Sequence, residues 1–227
     1  MALQHEPLAT LRRRITHDEI NTLPIVHYEG AVQLIRNAHD WEQALPDLQS
    51  EHVLGFDTET KPTFRKGRVN QPSLVQLATA HAVYLVQLVW MPFGEELASV
   101  LADPEIIKAG VGIRFDMQAL GKLFPFGAQG TVDLGTVARL NKFSAQGLRT
   151  LAAVLFGWRI SKGSQCSNWS LQDLSAKQIM YAATDAWVGR LIYLRMRELG
   201  MSFARQQAEK VQGPKNKGHK ASKKPES

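Results

Sequence analysis

Val53-Leu54-Gly55-Phe56-Asp57-Thr58-Glu59 is the stretch on which the fold turns. Val53, Leu54 and Phe56 form an apolar, β-prone run that reads as a buried strand, and two carboxylates stand at its end. Side chains two apart on a strand share a face, so Asp57 and Glu59 present two oxygen donors side by side. Hard divalent cations take such ligands. Taken alone, Asp-x-Glu at a strand end is more often just a turn or helix-capping signal.

Two further fragments give the pair a context. In Gly112-Ile113-Arg114-Phe115-Asp116-Met117 an aspartate follows a strand and enters a helix, where by itself it would merely complement the helix dipole. In Tyr181-Ala182-Ala183-Thr184-Asp185, a phenol and a carboxylate lie four apart in a long helical pattern, on one face about 5–6 Å apart at Cβ. A packed tyrosine beside a solvated aspartate would look the same. The order of the fragments carries the argument: a strand with Asp-x-Glu, a later strand-to-helix segment with Asp, then a late helix with Tyr-x-x-x-Asp.

On these residues the chain resembles the 3′–5′ exonucleases of the ribonuclease D and Werner-helicase-exonuclease type, the tyrosine-bearing branch (DEDDy) of the four-carboxylate superfamily. The resemblance runs from about Pro24 to about Leu199. It includes Lys108-Ala109-Gly110-Val111-Gly112 and Cys166-Ser167-Asn168-Trp169-Ser170, which look Werner-like, and Pro72-Ser73-Leu74-Val75-Gln76-Leu77-Ala78, which looks like the compact bacterial members. The histidine-bearing branch has His five residues before the last Asp, where this chain has Met180.

The resemblance implies an α/β, ribonuclease-H-like exonuclease fold with a mixed, mostly five-stranded sheet flanked by helices. It also implies two divalent ions, magnesium or manganese. Asp57 would bridge both, Glu59 and Asp185 would complete the ion that carries the attacking water, Asp116 would hold the second, and Tyr181 would position the nucleophile. The implied substrate is nucleic acid with a free 3′ end, DNA in preference to RNA, because the chain ends before the further helical domains of ribonuclease D. Trimming of RNA or short oligonucleotides is the alternative chemistry. A catalytically idle binding module is the alternative class, against which all four acids and the tyrosine stand intact.

Around these residues the pattern predicts strands over 25–28, 53–59, 74–78, 82–87, 107–110 and 131–133. Helices are predicted over 31–44, 94–101, 115–123, 134–140, 148–156 and 176–199, with a Thr16–Glu19 capping box ahead of them. Strands that pair as a hairpin first and alternate with helices later imply a mixed sheet. Candidate substrate contacts are Thr58, the cationic loop with Phe64, Arg65 and Lys66, Arg114 near Asp116, and Asn168 and Trp169. The loop could be only a solvated cationic turn, Arg114 a surface ion-pair partner, and Trp169 a core anchor, the reading favoured for it.

Composition sets the outer bounds. At 227 residues and 44% apolar content, the chain can bury one sizeable core. We expect an N-terminal extension over 1–24, an exonuclease domain over 25–205 and a disordered basic tail over 206–227. No run approaches the roughly 18 apolar residues of a membrane span, and no charged-then-apolar leader opens the chain, so a soluble cytoplasmic protein with access to the nucleoid is expected. A single Cys166 excludes an intramolecular disulfide and leaves no zinc-site pattern. Gly110-x-Gly112 fails as a dinucleotide fingerprint because Phe115 takes the place of the third glycine, and no phosphate loop or helicase motif is present. From Lys210 on, six lysines face Glu226 alone, a surplus of five of the net +6. Such a tail suits nonspecific, salt-sensitive attraction to a polyanion, or plain solubility.

Overall fold

The structure is a computed structural model that describes residues 8–63, 70–90 and 94–203. Phe64, Arg65 and Lys66 of the cationic loop and the tail from 206 on lie outside the described residues. Among those described, a six-stranded sheet runs in the order β1-β4-β3-β2-β5-β6, one strand more than the five that the resemblance implies. The strands are β1 (Ala31–Ile35), β2 (Val53–Thr60), β3 (Pro72–Ala78), β4 (Ala82–Gln87), β5 (Ile107–Gly110) and β6 (Thr131–Asp133). β2, β3 and β4 form an antiparallel meander, while β1 joins β4, β5 joins β2 and β6 joins β5 in parallel.

The strand sequences explain why helices cover both faces. β3 and β4 are buried at every position, and each sends alternate side chains to opposite cores. Leu54, Phe56, Val75, Leu77, Tyr84 and Val86 point into one core with α3 (Ala38–Ser50), α4 (Gly94–Leu101) and α5 (Ile113–Leu120). The other face carries Val53 and Ala109 under α6 (Leu134–Leu140) and α7 (Leu148–Phe156), and Leu74, Ala78, Val83 and Leu85 under α8 (Ala176–Glu198). Two short helices precede the sheet, α1 (Leu8–Leu11) and α2 (His17–Thr22), the latter with the expected Thr16–Glu19 capping box. No helix among the described residues is long and apolar enough to cross a membrane.

One region departs from expectation. Residues 25–28 make no strand but a single bridge, Ile25 to Arg159, and the helix expected over 31–44 is split into β1 and α3. Ala31 to Ile35 alternate between outward and inward positions, as an edge strand does when one face packs and the other meets solvent. The helix starts later because Asn37 caps it, accepting from Asp40 N at 3.0 Å, while Asp40 Oδ2 accepts from Arg36 N at 2.9 Å. Spacing alone read the strand's apolar residues into the helix behind them. Lys108, buried in β5, donates Nζ to the carbonyls of Val100 and Asp103, which ties the end of α4 to the sheet.

Candidate active site

The site forms where β2 leaves the core and α8 crosses it. Gly55 makes that crossing possible: a Cβ there would lie 2.0 Å from the Ala186 carbonyl oxygen, so only glycine lets helix and strand touch backbone to backbone. Arg190 then clamps the contact, donating Nε to Val53 O at 3.1 Å and Nη2 to Glu51 Oε2 at 2.9 Å. One residue before Ala186 and two after Gly55, Asp185 and Asp57 are thereby brought together. At Gly110 a Cβ would meet Phe56 O at 2.4 Å, and Gly112 takes φ +73°, so β5 runs close to β2 and turns sharply into α5. That turn carries Asp116 to Thr58, whose Oγ1 donates to Asp116 Oδ1 at 2.6 Å. The Thr58 N–H donates to Asp57 Oδ1 at 2.8 Å.

Tyr181 is fixed from two sides. Its ring tilts against Trp169 with centroids 5.9 Å apart, and its hydroxyl oxygen accepts from Arg149 Nη2 at 3.2 Å. The same Nη2 donates to Ser161 O at 2.9 Å. Tyr181, Arg149 and Ser161 line a cleft of about 770 Å³. Its lining includes Asp57, Thr58, Glu59, Tyr181 and Asp185 together with Arg149 at the start of α7 and the segment with Arg159 and Lys162. His17, Ile20 and Asn21 of α2 reach the rim, where Arg159 Nη1 donates to Asn21 O at 2.8 Å.

The carboxylates perturb one another strongly. Burial, then the charges of Asp185 and Asp116, push Asp57 well above the usual carboxylate range. Burial, then Asp57, Asp185 and Asp116, push Glu59 up to about 9, with Arg149 opposing. Asp116 rises to about 6 through burial, offset by its Thr58 hydrogen bond. Asp185 rises through burial, against a hydrogen bond from Tyr181 and the Arg149 charge. Tyr181 rises through burial and then through Asp185.

Buried charge is costly unless it is paired, so this cluster either keeps protons or takes a cation. Asp185 Oδ1 is buried and accepts no hydrogen bond, which leaves a hard oxygen donor open beside Asp57. Among the described residues no three acidic, histidine or cysteine side chains form a group placed to hold a metal ion as they stand. An all-oxygen set of this kind fits magnesium or manganese and not a thiolate-seeking metal.

The other sequence-derived candidates lie as follows. Arg114 is exposed on α5, outside the residues lining the cleft. Asn168 turns its Oδ1 to Ser170, accepting from N at 3.2 Å and from Oγ at 2.8 Å. Trp169 is 1% exposed and reaches the cleft only through Tyr181. Sequence reasoning passed over Arg149, Arg159 and Lys162. Arg149 carries no local signal, since a polar residue on an amphipathic helix usually faces solvent.

Comparison with known proteins agrees with this geometry. The family model described as 3'-5' exonuclease matches residues 32–200. The mouse bifunctional 3'-5' exonuclease/ATP-dependent helicase WRN is 30% identical over 212 residues, covering 88% of this chain but 15% of its own length. Ribonuclease D of Granulibacter bethesdensis is 33% identical, covering 73% of this chain and 42% of its own. This chain therefore spans less than half of either curated relative. The crystal structure of the Aedes aegypti Nibbler EXO domain superposes with a TM-score of 0.69 at 26% identity, covering 78% of this chain and 91% of that one. With the family model spanning the sheet and the helix that carries Tyr181 and Asp185, the chain belongs to the 3′–5′ exonuclease family.

Proposed function

We propose that this chain is a metal-dependent 3′–5′ exonuclease, with its nuclease domain over 25–205, that hydrolyses nucleic acid from a free 3′ end and releases nucleoside 5′-monophosphates. The observation that carries the reading is the buried acidic basin, Asp57, Glu59 and Asp185 with Asp116 behind Thr58, in an open cleft that Arg149, Arg159 and Lys162 also line. Asp57, Glu59, Asp116 and Asp185 would hold two magnesium or manganese ions, which when bound lower the pKa of water and stabilise charge on phosphoryl oxygens.

The chain's own residues supply the rest. A tyrosine whose pKa is raised keeps its proton at neutral pH, so Tyr181 orients the attacking water and does not deprotonate it. As the water oxygen bonds to phosphorus, the bond from phosphorus to the 3′-oxygen breaks. That oxygen stays on the shortened strand and takes a proton from solvent, and the phosphate stays on the 5′-carbon of the released nucleotide.

DNA is the sugar type proposed first, on the Werner-like stretches 108–112 and 166–170. RNA is the second reading, supported by the similarity to ribonuclease D. The test is digestion of matched 5′-labelled DNA and RNA strands, single-stranded and 3′-recessed, with magnesium or manganese, beside Asp57→Asn. A metal-dependent ladder shortening from the 3′ end, at least about 10³-fold weaker in the variant, is expected, and the faster sugar decides between the readings. No shortening of any strand by the wild type refutes the proposal.

A further inference from the structure

Arg149 has no role of its own in the reaction described above, yet it touches the site directly. It is the second residue of α7, lines the cleft, and is half-buried. Its Nη2 serves two acceptors at once, the Ser161 carbonyl at 2.9 Å and the Tyr181 hydroxyl oxygen at 3.2 Å. The first bond ties the guanidinium to main chain, and the second brings that fixed point to the phenol.

The consequence lies in the phenol's one proton. A hydroxyl whose oxygen already accepts from a cation directs its own hydrogen elsewhere. Here the neighbouring carboxylate is Asp185, four residues on along the same helix. With Arg149 donating to the oxygen, that hydrogen is turned away from the guanidinium and left for an acceptor on the acidic side of the site. Trp169 holds only the plane of the ring, and a ring held in plane still leaves its hydroxyl free to turn. A planar, always-charged guanidinium suits this work better than an ammonium, because two acceptors at set angles need a fork and not a point charge.

We propose that Arg149 is a positioning residue of the exonuclease reaction: bridging the Ser161 carbonyl and the Tyr181 hydroxyl, it fixes the direction of the tyrosine's O–H and so the orientation of the attacking water. The inference rests on the exonuclease reading, and it makes Arg149 act through Tyr181 and not as a phosphate contact.

A double-mutant cycle on the full chain tests it, using a 5′-labelled strand with magnesium or manganese and reading kcat and KM separately. Arg149→Met, which keeps the apolar stem, should lower kcat about 30-fold with KM within about threefold. Combined with Tyr181→Phe, it should cost less than about twofold more than Tyr181→Phe alone. Arg149→Lys should recover only a small part of kcat, and added methylguanidinium should recover more of it in Arg149→Met. Losses that multiply in the double variant, or a rise in KM at unchanged kcat, would overturn the proposal.

A second readout needs no turnover. With 3-fluorotyrosine placed at position 181, the wild type should give one sharp fluorine resonance, and Arg149→Met a shifted, broadened or doubled one at an unchanged melting temperature. An identical resonance in the variant refutes the positioning role. Should the wild type shorten no strand, the exonuclease reading falls, and the fluorine spectrum still decides whether Arg149 holds the tyrosine.

Discussion

Replacing Glu59 with glutamine should stabilise the metal-free protein while disabling it. Burial first, and the charges of Asp57, Asp185 and Asp116 behind it, hold the Glu59 carboxyl up to about 9 against an ordinary 4.5. Between those values the folded carboxyl keeps a proton that the unfolded chain has released, so stability falls as pH rises. The Glu59 contribution is whole below about 4.5 and is progressively lost on the way to about 9. At pH 7 an ordinary carboxyl is about 2.5 pH units past its pKa, and at about 1.36 kcal/mol each this sets an upper bound near 3 kcal/mol. Glutamine has nearly the same shape and no proton to hold, so it should recover about 2–3 kcal/mol. For a chain of this size that is a rise in Tm of roughly 4–12 °C.

The assay is a thermal melt in EDTA at pH 5 and pH 8. The two proteins should melt close together at pH 5, with the glutamine variant well ahead at pH 8. Magnesium or manganese should narrow or reverse the order, because the wild type alone keeps its full ligand set and gains more on binding. A variant no more stable than wild type in EDTA at pH 8, or a gap of equal size at pH 5, refutes the reasoning.

Three further perturbations probe the scaffold. Gly55→Ala drives a methyl into the Ala186 carbonyl and should cost more than about 3 kcal/mol, seen as a large drop in Tm or loss of soluble protein. Arg190→Met leaves Glu51, whose side chain is 11% exposed, without its cation; about 3 kcal/mol should be lost, and Glu51→Gln in the same chain should restore part of it in denaturant titrations. Thr58→Val removes the hydroxyl that holds Asp116, so kcat should fall about tenfold while stability changes by less than about 1.5 kcal/mol, a split that paired kinetics and melts would expose.

The sequence by itself determined the parts whose physics is local. Strands β4, β5 and β6 and helices α4, α6 and α7 lie where their apolar periodicity and turn residues put them, because a buried strand or an amphipathic helix writes its burial pattern into consecutive residues. The acids were legible for the same reason: carboxylates at the end of an apolar strand, and a phenol four residues before an aspartate, are unusual enough to be seen in one dimension. The segment 25–44 was misread because an edge strand half in solvent carries a weaker pattern than the helix behind it.

Tertiary structure decided everything that depends on approach between distant segments. Nothing near Gly55 in the sequence says that a helix more than a hundred residues later will rest on it, yet that contact is what joins Asp57 to Asp185. The pairing of Thr58 with Asp116 and the reach of Arg149 to Tyr181 likewise exist only after packing, since a hydrogen bond or a pKa shift depends on separation and burial in space. Chain order supplied the acids and the tyrosine; close packing of α8 on β2 joined Asp57 and Glu59 to Tyr181 and Asp185, and the turn into α5 brought Asp116 to Thr58.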